Sequence, residues 1–97
     1  MTFTLDLSGV KTKEELHDLL QKVLPLPDYY GRNLDALFDV LICISEPMEI
    51  RFQNTIVAEN YIGDYLYSLF RLCEDLQAEN HLFTFSIIDN GGFTQAL

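Results

Sequence analysis

Three short stretches of this chain carry strand patterning, and each is separated from the next by a segment too long and too helical in its spacing to be a hairpin. Thr2 to Leu7 alternates Phe3, Leu5 and Leu7 with polar residues, and Met48 to Gln53 alternates well enough for a second strand. Leu82 to Ile88 is β-rich and nearly continuously apolar, the pattern of a central strand buried on both faces. After Ser8-Gly9, Thr12 and Glu15 have the spacing of a capping box, and Leu16, Leu19, Leu20 and Val23 form the apolar stripe of a first helix that stops before Pro25. His17 lies off that stripe and reads as a solvated helix residue. Asn54 or Thr55 can cap a short helical turn through Glu59. The run from Tyr61 to Ala78 then places Ile62, Tyr65, Leu66, Leu69, Cys73 and Leu76 along one side of a long helix whose start is weakened by Gly63. The order is β, α, α, β, α, α, β. Strands joined by helical crossovers pair in parallel, so the expected fold is α/β, a small parallel sheet covered by helices.

Between the first and second strands lies the segment with the strongest local signals, Leu24 to Ile44. Pro25 and Pro27 forbid helix before them, and Gly31 offers a positive φ, so Leu24 to Arg32 is expected to be an ordered surface loop carrying Tyr29 and Tyr30. Asn33 reads as the N-cap of a helix whose buried stripe is Leu34, Leu37, Leu41 and Ile44. That assignment leaves Asp35, Phe38, Asp39 and Ile42 on another face. Two carboxylates at i and i+4 repel by roughly 0.2 to 0.5 kcal/mol, and only Asp35 is near enough to the helix start to be favoured by its dipole. Local rules are broken where function demands it, and acids interleaved with aromatic anchors have the composition of an interface.

The chain has 97 residues, enough for one domain with a real core and too few for a second, and its hydrophobic content of 48% argues for a packed globule. No apolar run approaches the length of a membrane span, and the N-terminal MTFTLDLSG lacks an export signal, so a cytoplasmic protein is expected. Cys43 and Cys73 form no CxxC pair and are expected to be reduced core thiols. The net charge of −9 disfavours nucleic acid as a ligand and suits a basic partner. The acids are concentrated in two segments. Asp28, Asp35, Asp39, Glu46 and Glu49 are set against Arg32 alone, and Glu59, Asp64, Glu74, Asp75 and Glu79 against Arg71 alone, whereas Met1 to Pro27 is nearly neutral.

Leu26 to Leu41, LPDYYGRNLDALFDVL, closely resembles the central motif of the barstar family of intracellular ribonuclease inhibitors. That motif runs Leu-Pro-acid-Tyr-Tyr-Gly-x-Asn-Leu-Asp-Ala-Leu-aromatic-Asp-x-Leu, and the match is ungapped. The resemblance implies a three-stranded parallel sheet packed with about four helices, with Asp89 to Leu97 as a tail beyond the usual family length. It also implies a function: the loop and the exposed face of the following helix enter the active-site cleft of a basic, barnase-like ribonuclease. Tyr29, Gly31, Asn33, Asp35, Phe38 and Asp39 stand at the matching positions, and Ile42 continues the same face. Asp39 matches the aspartate that occupies the RNA phosphate site, where a carboxylate can replace phosphate among the enzyme's cationic groups through charge-assisted hydrogen bonds. An acid late in the last long helix completes the family's surface, with Asp75 as its counterpart here or Glu74 if the register differs by one. The implied protein acts without metal or cofactor, touches neither nucleic acid nor membrane, and is a monomer when free.

The departures fall at contact positions. Phe38 stands where the family has tryptophan, Arg32 replaces an acid, and Ile42-Cys43-Ile44 replaces Thr-Gly-Trp, which points to a different cognate ribonuclease. Asp35 and Asp39 could also be read as an enzyme's paired carboxylates or as metal ligands. The first needs a cleft and further groups, and the second more oxygens than this pair supplies. A third alternative keeps the fold but serves a partner that is not a ribonuclease.

Overall fold

The computed structural model describes residues 1–88. These contain three strands and three helices in the order β1 (Thr2–Asp6), α1 (Lys13–Val23), α2 (Leu34–Leu41), β2 (Met48–Gln53), α3 (Ile56–Glu79) and β3 (Phe83–Ile88). The tail expected over Asp89 to Leu97 lies outside the described residues. The strands form one parallel sheet in the order β1-β2-β3, with Leu5 beside Phe52 and Phe52 beside Ile87 in register.

The centre of the sheet is therefore β2 and not β3. Met48, Ile50 and Phe52 are buried and alternate with Glu49, Arg51 and Gln53, which are partly or wholly exposed. Helices thus cover one face of the sheet, and the other is open and polar. On the edge strand Phe83 is buried, but Ile88 shares the open face with Gln53 and is half-exposed. A continuous apolar run does not reveal how many faces of a strand are covered, which is why β3 was misplaced by its composition. Against the covered face pack Leu16 and Leu20 of α1, Leu37 and Leu41 of α2, and Leu66, Leu69, Cys73 and Leu76 of α3. Burial pushes the Cys73 thiol up to about 12, so it is an inert core group.

Three helices stand where about four were expected. The short turn after Thr55 and the long helix are one element, α3, interrupted only at Ile62, whose φ of −134° and ψ of 37° are non-helical. The break falls one residue before Gly63, so the expected short helical turn and the long helix lie on either side of a kink within one continuous element. No helix in the described residues is long and apolar enough to cross a membrane.

The start of α1 follows the expected capping chemistry with one change. Thr12 Oγ1 accepts from the Glu15 amide at 3.0 Å, but the Glu15 carboxylate takes the Lys11 amide at 2.8 Å rather than that of Thr12 itself. The helix α2 ends earlier than its stripe implied. Beyond Leu41 the amides of Cys43 and Ile44 reach Val40 and Leu41 at 3.3 Å in a tightened turn, which turns Cys43 out to solvent. Cys43 is accordingly not a core thiol. The carbonyls freed by this turn are collected from α3's end: Asn80 Nδ2 donates to the Ile42 oxygen at 3.1 Å and to the Ile44 oxygen at 3.2 Å. Asn80→Ala removes both bonds and leaves two part-buried carbonyls unsatisfied. The expected loss is about 1 to 2 kcal/mol in urea unfolding at unchanged m-value; a loss below about 0.5 kcal/mol would show that water replaces the amide without cost.

Candidate protein-binding face

The loop between α1 and α2 is fixed from three directions. Tyr30 N donates to the Pro27 carbonyl at 3.0 Å, closing a turn that sends Tyr29 outward, 87% exposed, and Tyr30 inward, 6% exposed. The adjacent tyrosines therefore do different work, and only Tyr29 is a surface residue. Beneath the loop, His17 is 2% exposed and not solvated. Its Nδ1 meets the Tyr30 hydroxyl and its Nε2 the Tyr65 hydroxyl of α3, both at 2.6 Å. The neutral ring donates through one nitrogen and accepts through the other, so a single imidazole satisfies two part-buried phenols and ties α1, the loop and α3 together.

The third support is Arg32. It carries the positive φ, 57°, that the sequence assigned to Gly31. Its guanidinium turns back onto α1, pairing with Asp18 at 2.7 Å and donating to the Glu14 carbonyl at 3.1 Å and to Gln21 Oε1. These bonds offset the cost of a left-handed backbone conformation in which glycine is usual. Gly31 has a different role: a Cβ there would stand 3.3 Å from the Ala36 Cβ and 3.5 Å from Asn33 Nδ2, so a side chain would crowd the first turn of α2 by a few tenths of an ångström. Asn33 is the N-cap, its Oδ1 accepting from the Ala36 amide at 2.8 Å.

From this fixed start α2 presents Asp35 and Asp39 to solvent, with Phe38 between them half-buried against the core. Ile42 follows, also half-buried. A cleft of about 270 Å³ separates α2 from α3; its floor is Leu34, Phe38 and Leu72, and its rim Asp35, Ser68, Arg71 and Asp75. The structure thus brings Asp35, Phe38 and Asp75 together. Asp75 lines the cleft, whereas Glu74 does not. Asp39 and Ile42 lie further along α2, while Tyr29 stands at the loop tip. Among the described residues the ion pairs are Arg32 with Asp18 and Arg51 with Glu49, so Asp35, Asp39 and Asp75 are within 4 Å of no cation of the protein itself. No group of three or more His, Cys, Asp or Glu among the described residues could hold a metal ion.

A three-stranded parallel sheet with helices over one face, and an acidic face built on α2, defines a class already met in the sequence. The family model for Barstar (barnase inhibitor) matches residues 1–88, and the chain belongs to that family. It is also similar to a protein of Bacillus subtilis (strain 168) named "Putative ribonuclease inhibitor YrdF", at 37% identity over 67 residues, spanning 68% of this chain and 74% of that relative.

The roles of His17, Tyr65 and Arg71 are not visible in local sequence pattern. The available signal for His17 is its place one residue after Leu16 and three before Leu20, on a helix that buries a wide stripe; its partners come from distant segments. Burial holds its imidazole below the ordinary 6.5, with the Arg32 charge adding to that effect and Glu14 and Asp18 opposing it. In the unfolded chain the ring titrates near its ordinary value. The His17 contribution to stability is therefore constant above that pH and falls as the pH drops through it, by up to about 1.4 kcal/mol per pH unit, until the folded ring also takes its proton. Denaturant unfolding at about pH 7.5 and 5.5 is expected to show this loss, and His17→Gln to flatten it; equal pH slopes in the two proteins would place the proton uptake elsewhere.

Proposed function

We propose that this chain is a protein inhibitor of a basic, barnase-like extracellular ribonuclease, held in the cytoplasm as a monomer that needs no metal or cofactor and catalyses nothing itself. The observation that carries the reading is the state of α2: two exposed carboxylates, Asp35 and Asp39, in no ion pair among the described residues, flank an aromatic side chain on a helix whose N-terminal loop is held rigid. A nuclease that cleaves RNA must offer cations to a phosphate. A carboxylate in their midst accepts the same charge-assisted hydrogen bonds while presenting no scissile bond. Asp39 takes that phosphate position and Asp35 reinforces it. Tyr29 and Phe38 supply apolar contact area at small entropic cost, and Asp75 extends the negative surface across the cleft, which speeds encounter with a cationic partner. Membership of the Barstar family and the name of the B. subtilis relative support this assignment.

Arg32 bears on the choice of partner. Because its guanidinium is bonded to Asp18 and to the backbone of α1, replacing an acid at that position does not project a cation into the interface. The change of target is then read from Phe38 and from Ile42 to Ile44.

The test is binding and inhibition against a panel of small basic ribonucleases that includes barnase, followed by Asp39→Ala with the best of them. Asp39 is exposed, so the variant is expected to fold with unchanged thermal stability and to bind at least about 30-fold more weakly, since removing one partner of a desolvated charge pair costs 2 kcal/mol or more. Binding by the native protein with no change in Asp39→Ala would remove phosphate mimicry and leave a different contact surface. Failure of every ribonuclease to bind would favour a partner outside that class.

A further inference from the structure

The protein has three arginines, and two of them are engaged within the fold: Arg32 with Asp18, Arg51 with Glu49. Arg71 is different. It is exposed on the rim of the α2–α3 cleft, with Asp35 across from it and Asp75 one helical turn further along its own helix. Arginine and aspartate four residues apart on a helix are well placed to pair, yet Arg71 is within 4 Å of neither carboxylate and donates no hydrogen bond among the described residues. An exposed guanidinium with no ion pair among the described residues thus stands on the same rim as two carboxylates.

We propose that Arg71 receives a carboxylate of the inhibited ribonuclease, one that the enzyme carries among its cationic groups; this rests on the inhibitor reading above. The argument is one of charge pattern. If the partner's opposing surface were uniformly positive, Arg71 would oppose docking, because like charges brought together in a desolvated contact cost several kcal/mol. Cleavage of RNA through its own 2′-hydroxyl needs a general base next to the cations that hold the phosphate, and a carboxylate commonly does this work. An inhibitor surface with carboxylates around one guanidinium is the complement of such a site. The planar guanidinium bonds a carboxylate through two parallel N–H donors, and the apolar floor of Leu34, Phe38 and Leu72 keeps water from weakening that pair.

The sign of the effect separates this role from its rival. With the ribonuclease that binds most tightly in the panel, Arg71→Ala is expected to weaken binding by about tenfold or more, and Arg71→Glu further, with the thermal midpoints of both variants close to that of the native protein. Changing the enzyme's candidate carboxylate to its amide should weaken binding of the native inhibitor but leave Arg71→Ala unaffected, so that the two losses are not additive. Tighter binding by Arg71→Ala would show that the arginine only offsets its acidic neighbours, and unchanged binding would show that it lies outside the contact; either overturns the proposal. Additive losses would also overturn it. Each of these results leaves the inhibitor reading standing provided Asp39→Ala still weakens binding, whereas absence of any ribonuclease partner removes both.

Discussion

Parallel pairing of β1 with β2 governs the layout of this molecule. Strands that run the same way cannot be joined by a tight turn, so everything from Leu7 to Pro47 has to travel back along the sheet. The return is made by two helices rather than one, and the bend between them has to sit at the molecule's edge. The binding face is that bend together with the helix it launches. The second crossover, α3, supplies the opposite wall of the cleft, bonds His17 of α1 through Tyr65 and holds the C-terminal end of α2 through Asn80. The site is thus a by-product of closing a parallel sheet with helices on one side, refined by a few polar contacts.

Those contacts explain why a chain with so many acids keeps them exposed without losing its shape. The loop is fastened by bonds that do not involve Asp35, Asp39 or Asp75: a buried imidazole between two phenols, an arginine folded back on α1, and the Asn33 cap. Rigidity and charge are supplied by different residues. Such a separation leaves the carboxylates unneutralised and pre-positioned, which reduces the entropy lost when a partner docks.

The parts that were legible in the sequence are those fixed by neighbours along the chain. The alternation of β1 and β2, the Thr12 and Asn33 caps, the helix carrying Asp35 and Asp39, and the parallel arrangement all follow from short-range pattern and connection length. Long-range partners were not legible. The sequence places Tyr30 on the surface because it lies in a proline-bounded loop and His17 because it lies off the stripe of its helix, while their mutual hydrogen bond joins segments whose packing no local period encodes. The centre of the sheet passed to β2 because covering only one face leaves no need for a strand that is apolar on both. Cys43 left the core when α2 stopped short, and the separate short helix expected after Thr55 is joined to the long one across a kink at Ile62, so that the two count as the single element α3.

The opposite fates of Tyr29 and Tyr30 limit how this surface can change over time. One faces outward and its neighbour is clasped by His17, so a change in the number of residues between Pro27 and Gly31 would have to be absorbed without disturbing that clasp. Substitution at the exposed positions leaves that clasp untouched, which makes it a less costly route to a new target than a change of loop length.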